Sequence, residues 1–349
     1  MAPEIGSIDV YRDPENLIES PCGIIAAGDD VWFTSIANDR VGRVRPPDDT
    51  RFPAHAAAAI GASTIGTSSP IETFADPHGR MRLPANLFPD AYGRIWITCL
   101  GSDSLAGIDP HAADPAFTIT AVRHPDLRGP VAIKSAATGL LWFSLRGADA
   151  IGSLDPRAAD PATTVAIVRS GLIADPSALF IDARGLVWWV NAATATVGRL
   201  DPSSHHPAAT VARFGPWPRY GAPRAWAPGP AGGLWVTTQN EPGLLRIAPP
   251  AYGAAPGILA VTWYTDPLLH SPDGVWTAPD GTVWLADSAG DTLVRFHPDA
   301  GSWERFTAPG VEGPFDIKPG PDPAYLWFTN KRGGSIGRIR VVRGDDGAP

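Results

Sequence analysis

The sequence has only two cysteines, Cys22 and Cys99, and no apolar run of about 18 residues. Two thiols cannot build a disulfide framework or a cysteine zinc site, and no helical membrane span is predicted. No serine elbow, P-loop, HExxH, EF-hand loop or paired-cysteine zinc pattern occurs, so no motif names a nucleophile or a metal site. Positive charge is scarce as well. The 28 Lys and Arg residues face 36 Asp and Glu, a formal net charge of -8, which argues against general nucleic-acid binding. The N-terminus, MAPEIGSIDVYRDPENL, has neither a basic stretch nor an apolar core, so no secretory leader is read and a cytoplasmic location is expected. The expected partner is a small-molecule ligand, with no nucleic acid, no membrane and a monomeric chain.

Apolar residues are plentiful. They make up 44% of the 349 residues against 18% charged, enough for a large core and too little charge for disorder. Glycine and proline, 37 and 38 residues, are spread along the whole chain, which suits an all-β protein with many turns. Seven of the 13 tryptophans recur: Trp32, Trp96, Trp142, Trp188, Trp235, Trp284 and Trp327, separated by 64, 46, 46, 47, 49 and 43 residues. A proline precedes each by 11 to 13 residues: Pro21, Pro84, Pro130, Pro176, Pro223, Pro272 and Pro314. Ten residues after each stands Gly42, Ala106, Gly152, Gly198, Leu245, Val294 or Gly337, flanked by β-formers. Asp-Pro ends that strand at Asp109, Asp155 and Asp201, and a fourth β-run follows, such as FTITAV, TTVAIV or TVARF.

Four strands in each period describe one blade of a β-propeller. The expectation is one all-β domain over residues 1–349, a seven-bladed β-propeller with four-stranded blades. Each repeated Trp fills the space between neighbouring blades. The last unit supplies three strands and Ser7 to Tyr11 is an orphan strand, so residues 1–12 are expected to complete blade 7 and close the ring. An insertion at 45–70 in blade 1, rich in Ala, Ser, Gly and Thr, reads as a surface loop with a helical turn rather than a lid, and 343–349 as a tail.

Strand alternation puts the loops before each proline and after each Trp strand on one end of the ring, the top. His111, His205 and His206 fall at the bottom and read as solvated loop histidines. The top mouth collects acids, bases, amides and aromatics, the mixture a small-molecule site needs. His270 is the acid–base candidate, with Asp273 and Asp287 as catalytic partners that orient it; Arg224 would bind an anionic group. Tyr220, Trp217, His78 and Glu312 are further substrate-binding candidates. An Arg224–Asp273 ion pair tying blades 5 and 6 together is the scaffold alternative. Cys22 and Cys99 also map to the mouth; they read as buried thiols, since a nucleophile would need a partner such as His78.

The strings Pro21-Cys22-Gly23-Ile24, Val31-Trp32-Phe33-Thr34 and Val41-Gly42-Arg43-Val44 are repeated by Leu326-Trp327-Phe328-Thr329 and Ile336-Gly337-Arg338-Ile339. This signature, over about 19–342, resembles the virginiamycin B lyase family of streptogramin lyases. The resemblance implies a seven-bladed propeller whose top mouth, in its last two blades, opens a cyclic depsipeptide antibiotic by Mg2+-assisted elimination. The catalytic residues of that family are not matched. Asp273 stands where the lyase has a His, and Phe315 replaces its general base. Glu312 is displaced by one position, and Asn330 and Lys331 occupy the stretch of its second metal-binding Glu. Phe cannot accept a proton and Lys331 repels a dication. Streptogramin lyase activity is therefore not expected, and the ligands implied for Mg2+ are missing. Two classes remain: a diverged lyase or hydrolase-type enzyme acting on a specialised metabolite, and a non-catalytic propeller binding a ligand or protein on the same face.

Overall fold

A proline stands first in the inner strand of six repeat units and second in that of blade 5, and immediately after it the strand bulges. The register to the Trp strand shifts just after Pro21, Pro84, Pro130, Pro176, Pro223, Pro272 and Pro314. Proline cannot donate to a ladder, so it belongs at a strand start or bulge, and here it is both. In the computed structural model, which describes residues 4–46, 70–217, 220–248 and 260–342, the units form seven four-stranded antiparallel sheets. The first strands, from Pro21–Ala27 in blade 1 to Pro314–Pro319 in blade 7, each touch those of both neighbours, so the sheets form a closed ring around a central channel. The protein is a seven-bladed β-propeller. Among the described residues, no helix is long and apolar enough to cross a membrane.

Each repeated Trp is buried and packs with apolar residues of the following blade. Trp32 joins Leu87, Ile97 and Ala106 of blade 2, and Trp327 joins Ile24 and Phe33 of blade 1. Seven such clusters occupy the seven blade interfaces. The residue after each Trp pairs across the sheet with the residue ten after the Trp, and their sizes are matched. Where the first is aromatic, as in Phe33, Phe143, Trp189 and Phe328, the second is Gly42, Gly152, Gly198 or Gly337. Where it is Ile97, Val236 or Leu285, the partner is Ala106, Leu245 or Val294. A Cβ built on any of the four glycines would fall inside the facing ring. The glycine is there for the space the ring covers.

Hydroxyls tie blade to blade. Thr98 Oγ1 accepts the Asn86 N–H freed by the bulge (3.0 Å) and donates to Val131 O of blade 3 (2.8 Å). Thr34, Thr237 and Thr329 make the same double contact, Thr329 reaching Cys22 O of blade 1 at 3.0 Å. Ring closure is as expected: Ile8–Tyr11 pairs with Ser335–Arg340, and Tyr11 stacks on Trp327 at 5.4 Å. The fourth strands start later than the β-runs indicate. Residues Pro115–Thr118 and Pro161–Thr164 form 3-10 turns instead, capped by Asp114 and Asp160, because Thr118 and Thr164 accept the Asp109 and Asp155 N–H groups. Nearly all of the 45–70 insertion, and the whole tail, lie outside the described residues.

Two outcomes test these couplings. Gly152→Ala should cost on the order of 2 kcal/mol in urea denaturation by forcing Phe143 from its rotamer. Adding Phe143→Ile, which recreates the Ile97–Ala106 pair of blade 2, should leave the double variant more stable than the sum of the two single changes allows. Deleting residues 1–12 should lower stability by on the order of 3 kcal/mol or more, since it strips Ile8 and Val10 from a core cluster and bares a strand edge. An unchanged melting temperature would mean that the terminal strand does not close the ring.

Candidate functional site

The top loops are pinned to one another by carboxylates. In four units an Asp with positive φ, seven residues after the Trp, accepts the backbone N–H of the residue before the next proline. Asp39, Asp103 and Asp149 take those of Leu83, Gly129 and Asp175 at 2.7 Å, and Asp291 takes that of Gly313 at 2.6 Å. The Asp supplies the hydrogen-bond acceptor from a backbone conformation that Asp tolerates better than most residues. These contacts fix the rim loops that open blades 2, 3, 4 and 7, the last of which carries Phe315.

Arg224 and Asp273 open the inner strands of blades 5 and 6 and meet on this rim. Arg224 Nε donates to Asp273 Oδ1 at 2.9 Å. Gln239 Nε2 donates to the same oxygen at 2.8 Å, and Ser288 Oγ to Oδ2 at 2.5 Å. Asp273 is 4% exposed. A carboxylate engaged in this way orients the guanidinium, and both of its oxygens are occupied. The equivalent residue of blade 7 is Phe315. Arg224 Cζ lies 5.2 Å from the centre of its ring, and Lys331 Nζ 4.2 Å. Each contact contributes about 1 kcal/mol where water is partly excluded. Among the described residues, none accepts a hydrogen bond from the terminal nitrogens of Arg224 or from the Lys331 ammonium. Cys22, opening blade 1, completes the corner. Burial pushes its thiol up to about 11 against the opposing pull of Lys331, and burial pushes Cys99 up to about 12. Both stay protonated at neutral pH, so neither is an activated nucleophile.

The other candidates divide. Asp287 is fully buried and accepts the backbone N–H groups of His270 (3.0 Å) and Ser271 (2.6 Å). This is a repeated scaffold device: Ser35, Asn191 and Asn330, at the same place in their blades, accept the N–H of Glu19, Ala174 and Glu312. His270 Nδ1 stands 3.5 Å from Asp287 Oδ2, with its ring on the exposed rim. Trp217 is buried in the blade 4–5 interface, and Tyr220 packs against Trp263 at 5.5 Å. His78 is exposed between blades 1 and 2, away from this corner, and exposed Glu312 lies 3.6 Å from Arg12. An open depression of about 500 Å³ lies apart, over blades 2 and 3, among Arg123, His124 and Arg128; its Asp103 is committed to the Gly129 N–H.

Lysine is the signal that composition carried and motif reading passed over. Only three of the 28 basic residues are lysines, Lys134, Lys318 and Lys331. Lys331 is in the mouth. Lys134 and Lys318 lie deeper, four residues after the prolines of blades 3 and 7, each opposite its blade's Trp. Lys318 Nζ donates to Asp316 Oδ1 at 2.5 Å. Lys134 Nζ sits 4.4 Å from the centre of the Phe88 ring and has no carboxylate partner among the described residues. Burial first, and the Lys318 charge second, lower its pKa from 10.5 to about 8, with Asp316 opposing.

The donor set does not fit a divalent cation. Lys331 stands over Phe315 at this corner, where a second cation would be repelled, and no described group of three His, Cys, Asp or Glu side chains could hold a metal ion. Comparisons with known proteins agree on architecture. A solved streptogramin B lyase matches at a TM-score of 0.75 and 17% identity, over 97% of this chain and 100% of its own. A catalytically inactive virginiamycin B lyase from Staphylococcus aureus, solved with quinupristin, matches at 0.74 and 14% identity, over 96% of this chain and 99% of its own. A gluconolactonase from Xanthomonas campestris matches at 0.50 and 15% identity, over 72% of this chain and 83% of its own. No protein-family model and no curated protein matches. At these identities the likeness shows the fold alone.

The position of Lys134 has a measurable consequence. Its folded-state pKa is depressed, so between about 8 and 10.5 the unfolded chain holds a proton that the folded chain has released. Stability should rise with pH across that window, and the penalty is present in full below it. Lys134→Met should therefore stabilise the protein near neutral pH by on the order of 2 kcal/mol in urea denaturation, and the gain should shrink as pH rises from about 8 and vanish above about 10.5.

Proposed function

We propose that this propeller binds a small anionic molecule at the corner of the top mouth formed by blades 5, 6 and 7, and that it is not a streptogramin lyase. The observation that carries the reading is the pair of cations over Phe315. Arg224 is oriented by Asp273 and presents its terminal nitrogens; Lys331 adds a compact second charge. A planar fork beside a point charge suits a carboxylate or a phosphate. The Phe315 ring gives the body of the ligand an apolar surface. Binding without turnover is favoured by the state of the corner: its buried carboxylate is saturated and its thiol protonated.

One observation favours the second reading, a diverged lyase or hydrolase-type enzyme acting on a specialised metabolite. His270 lies on the rim with Nδ1 directed to buried Asp287, which would orient the imidazole for proton transfer. In that reading Arg224 and Lys331 hold the substrate and His270 is the only proton-transfer group at hand.

Binding of phenyl phosphate and benzoate, followed by isothermal titration, tests the site. Lys331→Ala and Arg224→Ala should each weaken binding at least about tenfold, in line with the loss of one charge-assisted contact. Melting should fall by no more than about 2 °C for Lys331→Ala, the loss of one cation–π contact. Lowered melting with binding intact would reduce both residues to scaffold. Incubation with a streptogramin B antibiotic and Mg2+ should leave the ring closed by mass spectrometry; turnover at the rate of a true lyase would overturn the proposal. His270→Ala should leave binding intact, and it separates the two readings only once a substrate turns over.

A further inference from the structure

The three lysines share more than rarity. Each ammonium lies over an aromatic ring: Lys134 over Phe88 at 4.4 Å, Lys318 over Trp276 at 5.7 Å, and Lys331 over Phe315 at 4.2 Å. Lys134 and Lys318 occupy the same repeat position on blades 3 and 7, on opposite sides of the ring. Both rings come from that position in the preceding blade, since Phe88 pairs with Trp96 and Trp276 with Trp284 as the lysines pair with Trp142 and Trp327. One level of the channel is thus defined by seven residues. Besides the lysines and the two rings, it holds Ile25, Phe180 and Ala227, none with a side-chain hydrogen-bond acceptor.

Charge at this level does not balance. Lys318 is held by Asp316 (2.5 Å) and by Ile317 O (3.0 Å), and Asp316 Oδ2 also takes the Ile24 N–H at 3.3 Å. Asp316 stands two residues before Lys318; the residue two before Lys134 is Ala132, and elsewhere on the ring that place holds Gly23, Asn86, Ala178, Ala225 or Gly274. Two ammonium groups therefore share one carboxylate. The amide oxygen of Asn86, in the inner strand of the preceding blade, accepts the Ile133 N–H at 3.4 Å. Lys134 keeps partial exposure, so it is reached from the channel. An ammonium removed from water must lose its proton or find an anion, and among the described residues no carboxylate contacts Lys134, the one at this level being held by Lys318.

We propose that the channel is a second binding site, at the level of Lys134 and Lys318, for one small oxyanion, a carboxylate or a phosphate, that bridges the two ammonium groups from the lumen. The apolar members of the level exclude acceptors that would compete, and the bulk of Phe88, Phe180 and Trp276 restricts the occupant to a small one. This site is independent of the mouth site over Phe315.

The scarcity of lysine makes the test direct. Reductive methylation with carbon-13 formaldehyde labels three lysines and the N-terminus, and Lys134→Met assigns the Lys134 signal. In buffer free of oxyanions, that signal should titrate near 8; with acetate, benzoate or phosphate added, its pKa should climb saturably towards 10.5. A response to acetate or benzoate alone assigns a carboxylate, and a response to phosphate alone assigns phosphate; either supports the site. The shift should persist in Lys331→Ala, whatever becomes of binding at the mouth. Anion-dependent protection from thermal unfolding should be present in the wild type and lost in Lys134→Met. The proposal fails if none of the three anions moves the Lys134 titration, or if the shift disappears with Lys331→Ala. It also fails if Lys134 titrates near 10.5 without any anion, which would mean that the channel is open to bulk water.

Discussion

A blade of this protein is a sheet with two apolar faces, and among the described residues no α-helix covers them, so the cover is another blade. The repeated Trp is the form this constraint takes. Each one leaves its own sheet and completes the core of the next, so every interface belongs to two blades and no blade has a core of its own. The other regularities follow from holding that contact at constant spacing. Hydroxyls such as Thr98 and Thr237 couple the bulge of one blade to the inner strand of its neighbour, and left-handed aspartates pin the loops above them. The rim is then stiff enough to carry side chains that are not part of the repeat.

The site is made of those exceptions. The position after the opening proline holds Cys22, Ala85, Val131, Ser177, Arg224, Asp273 and Phe315, with no two alike. Variation at a position whose backbone is the same in every blade means that the side chains there are not needed for the ring. A mouth built this way can change its chemistry without changing its fold, which is consistent with an architecture shared at 17% identity with a streptogramin B lyase.

What could be read from the sequence was what repeats. Trp-to-Trp spacing revealed the blades, the seven-fold count and the closing strand because packing between blades imposes the same demand seven times. The Arg224–Asp273 contact was legible for a related reason: equivalent positions on adjacent blades lie side by side. Asp287 misled the same reasoning, because a carboxylate near a histidine looks like a catalytic pair until Ser35, Asn191 and Asn330 are seen making the same backbone contact. Phe315 and Lys331 registered only as departures from a known pattern, since nothing in linear order says that Arg224, 91 residues before Phe315, shares its ring. The lysines of the channel were visible in composition alone, as rare residues in an arginine-rich chain, but the meaning of that rarity depends on where the ring puts them.

Closure of blade 7 by Ile8–Tyr11 has a consequence for how the molecule forms. Six blades are made of strands consecutive in the chain, so their pairings join near neighbours and can arise early. The seventh joins Ile8 to Ile339, the longest loop the chain has to close, and no pairing there is possible until both ends are in place. Assembly can thus run blade by blade as an open arc that is still pliable, and the final contact converts the arc into a ring. Loss of order under stress would begin at the same seam, where the terminal strand, the Trp327 core and the Thr329 hydroxyl together keep a closed circle from becoming an opened coil.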